Sequence, residues 1–370
     1  MSRPVDVRDA GLDEVGDAAP ELFELITRMG HEQVVLNYDP SCDYRCIIAL
    51  HDTTLGPALG GTRFWKYESD MDAFIDALRL SRGMTYKAAV AGLNLGGGKA
   101  VIIDTDVRDR EMLMRAHGRA IDRLGGRYIT AEDVGVSVED MDFVHMETEH
   151  VVGIQGRSGD PSPVTAYGVF RGIQACALKR YGADDLAGRT VVVQGAGHVG
   201  YHLCRYLVED GAKVFVSDID EAKAARAAEE LGVEVVPPNE VFGVDADIFA
   251  PCALGAVIND ETLPLLKVDI VAGAANNQLA TSEHDNRLEA RGILYAPDYV
   301  INAGGLINVY SELAGWSLER AKRKAGEIHS VLLNIFEVAE KDGITSGEAA
   351  DRVAEQRLRR VGRLHKGAIS

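Results

Sequence analysis

The stretch TVVVQGAGHVG, residues 190–200, joins an apolar run to three glycines spaced G-x-G-x-x-G. A short run of β-branched residues reads as a buried strand, and the segment after it, GYHLCRYLVEDG, reads as a helix. In a strand–turn–helix setting each glycine has its own duty. Gly195 permits the tight turn, Gly197 lets the backbone approach a pyrophosphate, and Gly200 lets the helix pack on the strand. The phosphates then face the helix N-terminus. A second strand, KVFVSD, ends in Asp218, where an acid accepts a ribose 2′-hydroxyl and repels a 2′-phosphate. Gly195, Ala196, Gly197, His198, Val199, Gly200 and Asp218 are therefore candidate cofactor-binding residues, and the cofactor expected is NAD. The plain alternative, a glycine turn without a ligand, does not account for the full context.

Outward from this stretch the pattern continues as EAKAARAAEELG, DIFAPC, DIVAGAAN and GILYAPD. Strands alternating with helices signal a parallel, doubly wound α/β sheet, the Rossmann arrangement. The N-terminal part differs. CIIALHD, KAVIID and RYITAEDVGVS read as strands, while MDAFIDALRLSRGMTYKAAVAG and REMLMRAHGRAIDRLGG read as helices. Gly, Ser and Pro cluster at 156–163 and read as a hinge. The expected fold is thus α/β in two domains. Residues 1–152 form a mixed α/β domain, and a helical tail follows at 340–370. Residues 153–339 form the Rossmann domain.

The chain has 370 residues, more than one ordinary domain at roughly 150 residues each. Its 39 basic and 57 acidic residues give a net charge of −18. That surface argues against nucleic acid or an anionic membrane as partner, because phosphate binding needs a basic face. A self-repelling enzyme surface or a salt-adapted source would both produce it. The five cysteines are odd in number and scattered, and CDYRC has no second pair to complete a zinc site. No metal is expected. Reduced thiols, an N-terminus without an apolar core and the lack of a run of about 18 apolar residues point to the cytoplasm.

GLNLGGGKAVI, residues 92–102, sets three glycines before Lys99. A phosphate-binding P-loop fails here twice: Leu93 stands where its first glycine belongs, and Ala100 follows the lysine where a hydroxyl is needed. A reactive amine is the other reading. Lys87 precedes Lys99 by twelve positions, and two nearby ammonium groups lower one another's pKa, as do apolar neighbours. A lysine brought to ~7–8 is a competent general base. The flanking glycines would allow close approach to a substrate. Asp133, in TAEDVGV, could exchange protons with that substrate. Surface lysines would be the plain alternative. His198 and His202, four apart on one helix, lack a third zinc ligand and read as surface or packing residues.

GPALGGTRFW, RGMTYK, GLNLGGGKAVI, TAEDVG, GAGHVG, GAANNQL and APDYVINAGGLINV together resemble, in order, the motifs of the amino-acid dehydrogenases of the glutamate, leucine, valine and phenylalanine family. The resemblance spans roughly residues 30–330, and its leucine branch is the most similar. It implies oxidative deamination of an L-amino acid with NAD, in a homo-oligomer of unspecified size, and it makes residues 1–152 the substrate-binding and oligomerisation domain, with the tail at 340–370 returning to it and a cleft between the two domains. By the same resemblance Lys87 binds the substrate α-carboxylate, Lys99 activates water, and Asp133 moves a proton to and from the amino nitrogen. Thr165, Asn276, Asn277 and Asn302 contact cofactor or substrate.

The resemblance also assigns a side-chain pocket to Leu59, Gly60, Gly61, Met84, Ala131, Leu306 and Val309. Glutamate-specific relatives place a lysine and a serine at positions 59 and 309. Burying a carboxylate against Leu59 and Val309 without partners would cost several kcal/mol, so glutamate is disfavoured. Ala131 resembles the leucine/valine type, whereas Leu306 occurs in phenylalanine-type members as well. Leucine, with valine and isoleucine, is the expected substrate, and phenylalanine is the alternative. His198 replaces the Asn usual in this branch, which can alter pH dependence near neutrality. A catalytically silent NAD sensor would not need Lys87, Lys99 and Asp133 together. A hydroxy-acid dehydrogenase would need a His base and an Arg in a matching motif, and no such pair is evident.

Overall fold

The computed structural model describes residues 21–107, 109–154 and 160–367. The expected hinge at 156–163 lies in part, at 156–159, outside the described residues. The chain divides at Gly159/Asp160 and again at Val353/Ala354 into two units.

The first unit begins with α1 (Leu22–Met29) and contains a five-stranded mixed sheet. Its strands are β1 (Gln33–Asp39), β2 (Tyr44–Asp52), β3 (Ala58–Trp65), β4 (Gly96–Ile103) and β5 (Tyr128–Glu132), in the order β1-β2-β4-β3-β5. β2 runs antiparallel to both β1 and β4, while β3 runs parallel to β4 and β5. Three helices connect them: α2 (Asp70–Val90), α3 (Arg110–Asp122) and α4 (Val138–His145). Each starts where a side chain accepts an orphan N–H: Ser69 from Asp72, Asp109 from Met112, and Ser137 from Asp140 in a capping box.

Successive strand residues point to opposite faces, and here both faces are covered. Ile47 and Ala49 pack with Phe74 and Leu78 of α2 and with Leu25 of α1. Ile48 and Leu50 pack on the other side with Leu113 of α3, Met141 of α4 and Tyr128. That explains why CIIALHD is apolar throughout rather than alternating.

Gly96, Gly97 and Gly98 are the first residues of β4, not a loop, and the space they leave is filled by the protein itself. A Cβ on Gly97 would fall on the Thr85 amide and hydroxyl of α2. One on Gly98 would lie 2.7 Å from the Tyr128 ring. The glycines therefore let α2 and Tyr128 approach β4 from opposite faces. This corrects the sequence reading in which they cleared room for a substrate.

The second unit has α5 (Ser162–Tyr181) and a six-stranded parallel sheet. The sheet contains β6 (Thr190–Gln194), β7 (Lys213–Ser217), β8 (Glu234–Val235), β9 (Ile248–Pro251), β10 (Ile270–Val271) and β11 (Leu294–Tyr295). The order is β11-β10-β9-β6-β7-β8, with every pairing parallel. α6 (His198–Glu209) follows β6, α7 (Glu221–Leu231) follows β7, and α8 (Glu283–Ala290) precedes β11. The order reverses between β6 and β9, so the C-terminal end of β6 is the topological switch point, where open α/β sheets bind ligands. α9 (Asp298–Ile301), α10 (Gly304–Leu313), α11 (Leu318–Gly326) and α12 (Ile328–Asp342) come next.

The second division falls within α13 (Ser346–Gly367), later than the 339/340 expected from sequence. Beyond it Glu355 accepts from the Tyr86 hydroxyl at 3.3 Å, and Arg357 donates to the Leu93 carbonyl at 3.1 Å. These contacts tie the tail to α2 and the segment after it.

Packing at Gly97 predicts that Gly97→Ala destabilises the chain by about 1–3 kcal/mol in urea denaturation, the usual range for overpacking a filled core. Unchanged stability with a raised KM would instead restore the substrate-clearance reading.

Candidate active site and dinucleotide site

Lys99 lies in the fourth position of β4 and shares the face of Gly97 and Val101, the face covered by α2. It is only 5% exposed, an unusual location for a lysine. Its ammonium donates to Oδ2 of Asp133 at 2.7 Å. Asp133 follows directly after β5, and Gly61 of β3 permits that approach, since a Cβ there would sit 2.8 Å from the Asp133 Cβ. Sequence positions 61, 99 and 133 thus converge through strand order alone.

Burial pushes the Lys99 pKa down, and the guanidinium of Arg63 pushes the same way; Asp133 opposes both without reversing them. Burial alone would raise the Asp133 pKa, but Lys99 and Arg63 outweigh it and hold the carboxyl below the usual range. The pair is therefore a carboxylate that stays ionised beside an amine that loses its proton more easily than a solvated lysine. The sequence reading set Lys87 against Lys99 as the like charge. The structure adds Arg63, whose Nε donates to the same Asp133 oxygen at 3.0 Å. Arg63 stands in the quoted GGTRFW motif, but an arginine on a strand gives no sequence signal for its partner 70 positions away.

Lys87 and Met84 lie on α2 and are half-buried. Leu59, Gly60 and Gly61 lie on β3, and Ala131 lies on β5 opposite Gly61 in register. A Cβ on Gly60 would come 3.4 Å from the Met84 side chain, so strand and helix meet closely here. The first unit therefore joins Lys99 to Asp133, sets Leu59 and Ala131 on the neighbouring strands β3 and β5, and carries Met84 and Lys87 on α2.

In the second unit Gly195 ends β6 with φ +107°, a conformation open to glycine. A Cβ on Gly200 would fall on the Gly195 carbonyl, so that glycine is needed for helix-on-strand packing. A Cβ on Gly197 would meet nothing within 4 Å. The space over Gly197, at the start of α6, is the cradle a pyrophosphate requires. Asp218 Oδ2 accepts from the Ala196 N–H at 2.7 Å, and Oδ1 accepts from Asp220 at 2.8 Å. Each oxygen keeps a lone pair for a hydroxyl donor. Val199 is half-buried, whereas the His198 side chain is 84% exposed, 3.5 Å from Asp160.

Thr165 lies in the first turn of α5, and a Cβ on Gly304 would come within 2.7 Å of its Cα. Asn302 is buried; its amide donates to Asn276 Oδ1 at 2.8 Å and to the Ala274 carbonyl at 3.1 Å. Its own Oδ1 has no partner among the described residues, an acceptor waiting for a donor. Asn277 takes φ +50° and is exposed beside Asn276. Leu306 is buried and Val309 half-buried on α10. The open cradle, the acid and the unpaired amide oxygen fit a dinucleotide. Among the described residues, no group of three or more His, Cys, Asp or Glu is placed to hold a metal, and no helix is long and apolar enough to cross a membrane.

Residues 31–150 match the family described as Glu/Leu/Phe/Val dehydrogenase, dimerisation domain, and residues 153–222 and 216–364 match Glutamate/Leucine/Phenylalanine/Valine dehydrogenase. The chain belongs to this family. It is 54% identical to a leucine dehydrogenase of Bacillus cereus, over 91% of this chain and 93% of that protein. It is 46% identical to a phenylalanine dehydrogenase of Bacillus thermotolerans, over 93% and 92%. The crystal structure of L-tryptophan dehydrogenase from Nostoc punctiforme superposes with a TM-score of 0.85 at 48% identity, covering 92% of this chain and 99% of that one. The chain thus aligns over more than nine-tenths of its length with proteins named for three different amino acids.

The two glycine environments predict opposite failures. Gly200→Ala should lower the melting temperature of the dehydrogenase, because the new methyl falls on backbone. Gly197→Val should leave melting within about 2 °C, roughly the shift expected for 1 kcal/mol in a unit of this size, while weakening NADH binding by at least tenfold in a fluorescence titration. Loss of stability without loss of affinity in Gly197→Val would place the pyrophosphate elsewhere.

Proposed function

We propose that this dehydrogenase carries out NAD-dependent oxidative deamination of a branched-chain L-amino acid, with leucine favoured and valine and isoleucine accepted. The reaction converts the amino acid, NAD⁺ and water into the 2-oxo acid, ammonium, NADH and a proton. The observation that carries the reading is the 2.7 Å contact between Lys99 and Asp133, in which burial lowers the lysine pKa and two cations keep the carboxyl ionised.

The residues divide the work as follows. Lys87 holds the substrate α-carboxylate. Asp133 accepts a proton from the substrate amino group, which must be neutral before the Cα–H bond can give up hydride. A bound NAD supplies the hydride acceptor. Lys99, as the free amine, then takes a proton from the water that attacks the resulting imine, and Asp133 returns a proton to the departing nitrogen. Gly195–Gly200, Asp218, Thr165, Asn276 and Asn302 would hold the dinucleotide, and Asn277 would lie on the substrate side.

Leu59, Met84 and Ala131 of the first unit are apolar, as are Leu306 and Val309 of the second, which suits leucine and would leave a distal carboxylate unpaired. The relatives named for leucine are 53–55% identical, which supports leucine over phenylalanine at 46% and tryptophan at 49%. A homo-oligomer is part of the proposal, since the matched N-terminal domain is described as a dimerisation domain.

A substrate panel followed by NADH formation tests the reading. Leucine should lead with NAD, glutamate should fail, and NADP should be at least tenfold poorer because Asp218 repels its 2′-phosphate. Phenylalanine in the lead would overturn the side-chain assignment. Lys99→Ala should lose deamination by about 10³-fold or more while NADH binding persists, in the range for losing a general base. Because deamination needs neutral Lys99 and its pKa is lowered, kcat/KM should rise with pH and level off below the ordinary lysine value of 10.5.

A further inference from the structure

We propose that Arg63 is the positioning residue of the Lys99–Asp133 pair, and that Asp76 fixes Arg63 in turn. The proposal rests on the deamination reading above and extends it to two residues outside the assigned set.

The geometry forms a chain of charges across three elements. Lys99 of β4 and Arg63 of β3 both donate to Oδ2 of Asp133, at 2.7 and 3.0 Å. The opposite edge of the same guanidinium donates from Nη1 to Oδ2 of Asp76 on α2, at 2.8 Å. Asp76 is itself buried and accepts from the Tyr67 hydroxyl at 2.6 Å and from Arg79 Nη2 at 3.2 Å. A guanidinium is a rigid plane, so anchoring one edge on a held carboxylate fixes the other. Lysine on a flexible stem could not transmit that constraint as well.

Two consequences follow for the reacting groups. Among the described residues both cations fall on Oδ2 of Asp133, so Oδ1 is the oxygen available to a substrate amine. Arg63 also keeps a positive charge beside Lys99. The groups acting on Lys99 are then Asp133 and Asp76, which favour the ammonium, and Arg63, which opposes it. Removing Arg63 leaves the acids in the majority and should raise the Lys99 pKa, making the free amine scarcer at any given pH.

The test compares wild type, Arg63→Met, Arg63→Lys and Asp76→Asn, using the full chain. Arg63→Met keeps the stem and removes the charge. Thermal melting and NADH binding, which belongs to the other unit, establish that each variant is folded. Leucine deamination is followed across pH, and the pH dependence of Lys99 acetylation by acetic anhydride is read by mass spectrometry.

Arg63→Met should lower kcat by about 10–100-fold, the usual effect of removing an outer partner of a working group, with KM changed less than threefold. Its rate limb and its acetylation limb should both move to higher pH. Arg63→Lys should restore the position of both limbs in part, and Asp76→Asn should shift them less than Arg63→Met. Unmoved limbs in Arg63→Met, or Arg63→Lys no better than Arg63→Met, would overturn the positioning role and leave Arg63 as packing. If acetylation shifts as expected while wild type deaminates no amino acid, the positioning of Lys99 stands and the deamination reading falls.

Discussion

The carboxylate of Asp133 is the constraint on which the first unit turns. A lysine with 5% exposure is costly to keep charged, and it remains next to the reaction region only because an anion lies 2.7 Å away. That anion must reach into the sheet from the end of β5, which requires Gly61 on the neighbouring strand. Lys99 must face α2 rather than the opposite layer, which the register of β4 between β2 and β3 enforces. α2 must lie close against β4, which Gly97 permits. On the opposite face of the sheet from α2, His117 bonds Tyr44 through Nδ1 and Thr62 through Nε2, each at 2.7 Å. Burial lowers that histidine to about 3, so it is a neutral strut tying β2 and β3 to α3.

The second unit rests on a different principle, the absence of side chains. Its three fingerprint glycines look equivalent in sequence, yet their surroundings differ. Gly195 solves a backbone problem and Gly200 a packing problem, while only Gly197 opens outward. Asp218 links the first of these to the sheet, because its carboxylate receives the Ala196 N–H and so braces the loop it also borders. The acid proposed to select the ligand thus also stabilises the turn beside Gly197. Asn302 behaves similarly: one end of its amide fixes the Ala274–Asn276 loop and the other is left unpaired.

Much of this was legible in the sequence, for identifiable reasons. Parallel strands alternating with helices announce themselves by period, and TVVVQGAGHVG, KVFVSD and DIFAPC occupy the strands expected of them. Lys99 and Asp133 stood out because a lysine after three glycines and an acid at a strand end are unusual. What the sequence concealed was contact at long separation. GPALGGTRFW carries two glycines and gave no periodic signal, yet Ala58–Trp65 is a strand at the centre of the site. Arg63 reaches Asp133 across 70 positions and Asp76 across 13, and Asp76 looks like an ordinary surface charge when read along the chain. The role of Gly96–Gly98 was misread for the same reason, since the atoms that fill their vacant Cβ positions belong to residues 52, 85 and 128.

The energies at stake separate what this site fixes from what it leaves adjustable. An unpaired buried carboxylate costs several kcal/mol, so on the proposed assignment Leu59 and Val309, which offer it no partner, would disfavour a distal acid. One methylene in an apolar pocket changes binding by only ~1–3 kcal/mol. On the same assignment, selection among apolar side chains would depend on small volumes at Met84, Ala131 and Leu306, whereas Lys99, Asp133 and Arg63 are held by their own ionic bonds. Those partners are charged, buried and mutually dependent, so a change in one is felt by all. A scaffold built this way keeps its chemistry at Cα constant while its side-chain preference drifts, because the two are held by interactions of different size and in different residues.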